Sequence, residues 1–390
     1  MKNRVEEIEL ILLKGAKLLT MADDNRNEGD ILIDGDKIVQ VGGNICRDGA
    51  EIVDCTGLVA TPGIVDPHCH IGMWEDGIDE EGADGNEMTA PITPELRAID
   101  AINPMDRCFK EALDGGVTTV VTGPGSANVI SGQFAAIKTG GNCVDDMIIK
   151  APCALKVALG ENPKGVYGEK KETPSTRMAT AALLREALIE AQNYLAEQEE
   201  DDKKAKKRDF KNEIVAEAVS GKLPVKIHAH RADDILTAIR IAKEFDLTIS
   251  LDHCTEGYLI ADKIKESGAR VILGPLMCDR CKPELKNLTF TAPAKLYEAG
   301  VEFGMMSDHP VQLTQYLPIA AALAVKNGLP AEEALKSITI YAARAAFVDD
   351  RVGSLEPGKD ADIVLWDGNP LEIATRVKMV YLMGEKVRQY

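Results

Sequence analysis

The 390-residue chain contains no stretch close to the roughly 20 uninterrupted apolar residues that a membrane span requires, which sets aside an integral membrane protein. A secretory leader is not expected either, because Glu6, Glu7 and Glu9 fall where a signal peptide would place its apolar run. A cytoplasmic location is the expectation. Positive charge is in deficit, with 45 Lys and Arg against 63 Asp and Glu and a formal charge of -18, and no net basic face is evident for binding phosphates. Nucleic acid is therefore excluded as an expected partner. A disulfide framework is missing as well: nine cysteines, an odd number scattered through a large chain, read as reduced thiols. Cys278 and Cys281 form a single CxxC with no second half and no nearby histidine, a weak signal for structural zinc.

What remains is a composition of 45% hydrophobic and 28% charged residues, which fits an ordinary folded protein. The length allows two or three units, or one large barrel with an appendage. Residues 8–60 alternate short β-rich runs with turn signals at Gly35-Asp36 and Gly42-Gly43, and GKDADIVLWDG and KMVYLMGEKV repeat that texture at the C-terminus. The two ends are expected to build one small β-sandwich from residues 1–62 and 348–390. Between them, over 63–347, apolar runs such as GIVDPH, GVTTVVTG, LPVKIHAH, LTISLDHC and VEFGMMSDH alternate with amphipathic segments. That is the pattern of an α/β fold, a (β/α)8 TIM-like barrel. Seven strands are clear, and the eighth is expected to be irregular or hidden near 147–172. The acidic, Gly-rich stretch 74–95 reads as a long loop after the first barrel strand, and 176–220 as two helices around a charged break at 197–209.

All six histidines, His68, His70, His228, His230, His253 and His309, lie at the carboxyl ends of apolar runs, on four different strands. Strands of a parallel barrel end at one mouth, so these side chains are expected to converge there. His68 and His70, two apart on one strand, can grip one ion, and His228, His253 and Asp308 complete an N/O set suited to zinc, manganese or iron.

These motifs resemble those of the amidohydrolase superfamily of metal-dependent hydrolases, in the branch related to imidazolonepropionases. TPGIVDPHCH is similar to its first-strand signature, VKIHAHRADD and LDHC to its later histidines, MMSDHPV to its last-strand aspartate and GSLEPGKDADIVLWDG to its return segment. The resemblance implies that His68, His70 and Asp308 hold one divalent ion and His228 and His253 a second. The bridging ligand is either Glu161, favoured because its loop resembles that of deacetylase relatives, or Lys156 if carboxylated. Zinc is the first choice of metal, with one or two ions.

Asp308 is expected to carry protons between the attacking water and the leaving nitrogen in hydrolysis of an amide, cyclic amide or N-acyl group. His230 stands beside it as a catalytic or substrate-contacting residue, His309 as an outer or structural one, and Asp66 as an acceptor for one of the imidazoles. A deaminase relative would carry glutamate three residues after His228, and Arg231 stands there instead, matched to a substrate carboxylate or carbonyl or else to Asp233 or Asp234. Ser126, Asn128 and Gln133 are candidate substrate contacts, and loop 74–95 a lid or a solvated excursion. A small-molecule substrate and a homo-oligomer are expected. The alternatives are a deaminase, a lactonase or a non-catalytic scaffold.

Overall fold

Two sheets organise the chain, and the computed structural model describes them over residues 10–22, 29–199 and 207–390. The N-terminal strands are β1 (Leu10–Leu18), β2 (Gly29–Asp34), β3 (Lys37–Gly42), β4 (Glu51–Asp54) and β5 (Val59–Pro62). Eight strands follow in the barrel: β6 (Ile64–Cys69), β7 (Val117–Thr122), β8 (Ile130–Lys138), β9 (Ile148–Ala158), β10 (Val225–Ala229), β11 (Ile249–His253), β12 (Arg270–Leu273) and β13 (Phe303–Met305). The chain ends in β14 (Ile363–Trp366), β15 (Val377–Leu382) and β16 (Glu385–Gln389).

The barrel strands lie side by side in chain order. The two edges meet just beyond β13, where Asp308 N donates to His68 O at 3.1 Å and His70 N to His309 O at 3.0 Å. These bonds set His68, His70 and Asp308 next to one another. The reading of a hidden strand near 147–172 is corrected: β9 is one long strand followed by a helix at Glu161–Glu169, and the strand missed in the sequence is β8. It pairs antiparallel with both β7 and β9, so no crossover helix separates these three strands and the β/α alternation breaks there. The remaining pairings, β6 with β7 and β9 through β13, are parallel.

Helices cover the barrel by apolar stripes. In Arg107–Asp114 the stripe is Cys108, Phe109, Ala112 and Leu113, and Asp106 caps the start by accepting from Cys108 N at 3.3 Å. In Ala232–Phe245 it is Ile235, Ala238, Ile241 and Ala242, and the helix stops at Asp246 in the left-handed region. The insertion after β9 holds the two expected helices, Arg177–Glu199 and Phe210–Val219, and residues 200–206 of its charged break lie outside the described residues. No described helix is long and apolar enough to cross a membrane.

The sheet from both chain ends runs β16-β15-β14-β5-β1-β2-β3, with β4 also beside β1. β1 bends at Gly15 (φ +80), so that Leu10–Leu13 pair with β2 while Lys17 and Leu18 pair with β5. Leu13, Ile31, Ile33, Ile363, Leu365 and Tyr381 from the two halves bury one apolar cluster. An ionic knot joins this sheet to the barrel. Lys138 of β8 reaches Asp360 at 2.8 Å and Asp362 at 2.6 Å, and Asp360 also takes Arg351 at 2.8 Å and Lys37 at 2.5 Å.

Candidate metal centre

His228 pairs with Asp252, and Ala229 with His253, across the β10–β11 ladder. In a regular strand Asp252 and His253 would face opposite sides. His253 instead has φ +74, and its ring turns to lie 4.3 Å from those of His228 and His230 and 5.4 Å from that of His68. Asp308 is also left-handed, with φ +54. Two residues of the presumed ligand set thus hold backbone conformations that are uncommon for side chains of their kind, a strain that collects at functional sites.

Five of the six imidazoles are oriented through Nδ1. His70 donates to Gly123 O at 2.7 Å and His253 to Gly274 O at 3.0 Å, while His68 Nδ1 meets Asp252 Oδ2 at 2.6 Å. His228 Nδ1 lies 2.8 Å from Ser126 Oγ and His230 Nδ1 2.7 Å from Thr255 Oγ1. This leaves Nε2 of each ring for the interior of the site, which is how ligand histidines are commonly held. His230 Nε2 and His253 Nε2 are buried without a hydrogen-bond partner. Two groups of donors come within range of a single ion, His228, His230 and His253 in one, His68, His253 and Asp308 in the other. His70 Nε2 stands 3.2 Å from Asp308 Oδ1, beside the second group.

Burial, the main cause, keeps the rings neutral: it pushes His68 and His230 down to about 3, and His228 and His253 well below the ordinary histidine value. Burial alone would raise Asp308, but His70, His68 and Lys156 outweigh it and hold the carboxyl well below the usual range. Neutral imidazoles with one ionised carboxylate make a donor set that fits a divalent cation.

The structure separates the two candidate bridging residues. Lys156 is fully buried in the barrel, with Nζ 3.4 Å from His68 Nε2, and burial lowers it to about 8. Glu161 opens the helix after β9, belongs to neither donor group and touches the site through its backbone, its N–H donating to Glu284 Oε2 at 3.3 Å. The preference for Glu161 is therefore corrected in favour of Lys156, because β9 itself, and not the loop after it, faces the histidines.

Other expected contacts are also used elsewhere. Arg231 forms a two-bond fork with Asp233, at 2.9 and 2.8 Å, on a surface where it is 39% exposed. Asn128 donates to Glu87 O and Thr93 Oγ1 and accepts from Tyr167 OH, and Gln133 donates to Pro94 O. Asn128 is fully engaged between residues 87–93 and Tyr167, and Gln133 ties Pro94 to β8, so the structure places both in loop anchoring where substrate contacts were expected. Ser126 orients His228. Asp66 accepts from Ser307 and Thr314 and from the backbone of His68, so it ties β6 to the chain after β13 and does not face an imidazole ring. His309 is buried against the same seam. Cys278 and Cys281 are unpaired and belong to neither donor group. Loop 74–95 is anchored, with Trp74 edge-on to His70 at 5.0 Å and Gly85 O accepting from Gly125 N at 2.8 Å.

Sequence reasoning missed Asp252, Lys226 and Glu284. Asp252 receives Lys226 at 3.1 Å as well as His68, and Glu284 is fully buried with Oε1 3.5 Å from His230 Nε2. Only the position of Asp252, immediately before His253, offered a hint.

A solved structure described as an amidohydrolase from Thermotoga maritima MSB8 is similar to this chain with a TM-score of 0.95 and 43% identity, over 97% of this chain and 100% of that one. The amidohydrolase tasK of Hapsidospora irregularis is 28% identical over 91% of this chain, which spans only 39% of that protein's length. An imidazolonepropionase of Fusobacterium nucleatum is 26% identical over 87% of this chain and 85% of its own. Residues 59–387 match the model of the family described as the amidohydrolase family, and the chain belongs to that family, in the branch related to imidazolonepropionases.

Proposed function

We propose that the protein is a metal-dependent hydrolase that cleaves a carbon–nitrogen bond of a small amide, cyclic amide or N-acyl compound. The observation that carries this reading is the convergence of Nδ1-anchored imidazoles and the Asp308 carboxylate on two adjoining buried donor groups that share His253. His68, His70 and Asp308 would hold one cation and His228, His230 and His253 a second, with zinc the first choice and manganese or iron next. A divalent ion held by these residues would lower the pKa of a water to about 7 and polarise a substrate carbonyl.

Asp308 Oδ1, 3.2 Å from His70 Nε2 and 3.5 Å from His68 Nε2, is ionised and can take a proton. It then delivers that proton to the leaving nitrogen, general base followed by general acid. Lys156, lowered to about 8 and 3.4 Å from His68 Nε2, carries an amine that could take up carbon dioxide with release of a proton, and the carbamate so formed would supply a further oxygen donor to the cation at His68, His70 and Asp308. The amide reading is preferred to deamination because Arg231, where deaminase relatives carry glutamate, is paired with Asp233. We further assign the described residues of 63–347 to the catalytic barrel and those of 1–62 with 348–390 to a β-sandwich beside it; residues 1–9, 23–28 and 200–206 lie outside the described residues. The nine unpaired thiols support a reducing, cytoplasmic setting.

The test is elemental analysis of the purified chain together with Asp308→Asn assayed on N-acyl amino acids, dipeptides, hydantoins and imidazolones. One or two divalent ions per chain and a loss of about 10²-fold or more in kcat are expected. Metal-free protein from a metal-replete host, or full activity of the variant, would overturn the reading.

A further inference from the structure

We propose that Glu284 is a fourth donor to the cation at His228, His230 and His253, and that this cation pins the segment 274–291 against the barrel mouth; the proposal rests on the reading that the histidine cluster holds metal. Glu284 sits in the single turn Pro283–Leu285, between β12 and the helix Ala292–Glu298, in a stretch that includes the partly exposed Cys278 and Cys281. Its side chain is fully buried. Oε2 accepts from Glu161 N at 3.3 Å, but Oε1 has no hydrogen-bond partner. That oxygen points at the imidazoles, 3.5 Å from His230 Nε2 and 3.7 Å from His228 Nε2, and the nearest ammonium, Lys282, is 3.9 Å away.

A buried carboxylate oxygen without a donor is costly, and facing nitrogen lone pairs makes it more so. His253 donates Nδ1–H to Gly274 O, and His228 Nε2 accepts from Asn162 Nδ2 at 3.5 Å, so both rings present Nε2 as a lone pair. His230 Nε2 and His253 Nε2 are buried and unpartnered on the same side. As placed, Glu284 belongs to neither donor group, its Oε1 standing on the His228–His230 side of the cluster, and a cation at the three imidazoles would draw that oxygen in to satisfy all of these atoms together. Three nitrogens and one carboxylate oxygen form a four-donor set of the kind zinc prefers.

The same geometry ties the segment to the barrel. Glu284 is brought in by Lys282, which donates to Asn162 Oδ1 at 3.2 Å, and by Asn287, which donates to Glu256 Oε1 at 2.7 Å. With the cation bound, a loop after β12 is clamped to β10 and β11; without it, Glu284 Oε1 stays buried with no hydrogen-bond donor.

The experiment titrates Zn2+ into chelator-stripped full-length protein, wild type, E284Q and E284D, by calorimetry, and follows hydrogen exchange of residues 276–291 with and without Zn2+. Cys278 and Cys281 are the same in all three proteins, so differences isolate the carboxylate. Two equivalents are expected in the wild type. E284Q should weaken one of them by about 100-fold or more and leave the other, with E284D between, since even groups one layer behind the ligands affect affinity by about 10- to 100-fold. Zn2+ should slow exchange of 276–291 in the wild type and not in E284Q. Equal binding by E284Q and wild type, a single equivalent indifferent to the substitution, or no Zn2+-dependent protection in the wild type would each overturn the proposal alone. Absence of any Zn2+ binding by the wild type would overturn it together with the metal-dependent reading. The exchange measurement on wild type stands even if E284Q does not fold.

Discussion

Asp252 Oδ2 lies 2.6 Å from His68 Nδ1 and 3.1 Å from Lys226 Nζ, so one carboxylate from β11 both orients a ring on β6 and neutralises a buried lysine on β10. Burial alone would raise Asp252, but Lys226, His68 and Lys156 together keep it far below the ordinary carboxylate range. Asp252→Asn keeps the volume and removes the charge. Metal affinity should fall by about 10- to 100-fold as His68 loses its fixed tautomer, and stability should fall by about 3–5 kcal/mol as the buried Lys226 loses its counter-charge and keeps only its bond to Pro67 O. Chelator competition and urea unfolding of the metal-free protein check the two effects separately; unchanged affinity would mean that the pair serves the fold alone.

The knot at Asp360 carries a similar charge between the barrel and the terminal sheet. Burial would raise its carboxyl, but Arg351, Lys138 and Lys37 outweigh that and hold it at about 2, below the ordinary 3.8. Since the folded value is the lower one, the native state binds fewer protons than the unfolded chain as pH falls through this range. The stabilisation is complete above about pH 4 and is lost toward pH 2. Asp360→Asn should flatten the acid limb of the unfolding free energy between those values, and Lys138→Met should cost about 3–5 kcal/mol at neutral pH by leaving the buried Asp362 without its ammonium and Asp360 with only Arg351 and Lys37. Urea midpoints measured across pH 2–7 give both results, and an unchanged acid limb in Asp360→Asn would rule the linkage out.

Trp74 stands between loop 74–95 and the centre, and its ring occupies the space where a Cβ on Gly85 would fall, 1.9 Å from its atoms. Gly85→Ala therefore has to move the indole away from His70, at a cost of about 1–3 kcal/mol, the usual range for overpacking. In a Trp366→Phe background, where Trp74 is the remaining tryptophan, its fluorescence should shift to the red and KM should rise more than kcat falls. An unshifted spectrum would show that the loop absorbs the methyl group elsewhere.

The histidines were legible because each follows a β-like apolar run, and parallel strands that point one way bring such positions to a common mouth. Asp308 was legible for the same reason. Asp252 and Glu284 were not, because carboxylates are abundant in this chain and nothing local marks the two that are buried; their partners come from other strands and a distant loop. β8 escaped notice because Gly132 and Gln133 interrupt its apolar character and because an antiparallel strand needs no crossover helix, the feature by which its neighbours were found. The preference for Glu161 over Lys156 turned on side-chain direction along β9. His228 pairs with Ala158 and Lys226 with Lys156, so Lys156 shares the inner face of the barrel, while Glu161 falls three residues beyond the end of the strand.

Ser126 and Arg231 were both expected to touch substrate, and the structure gives them contrasting partners. Ser126 Oγ holds His228 Nδ1 at 2.8 Å, whereas Arg231 is spent on Asp233 at the surface. Ser126→Ala should lower metal affinity by about 10-fold or more and carry kcat down with it, because His228 loses the group that sets its ring. Arg231→Met should change KM and kcat by less than about threefold and stability by under 1 kcal/mol, as befits an exposed ion pair. Steady-state kinetics of both variants, with metal content measured on the same samples, distinguish the two roles. A tenfold rise in KM for Arg231→Met at full metal occupancy would restore its guanidinium as a substrate contact, reached by a change of partner from Asp233 to the ligand.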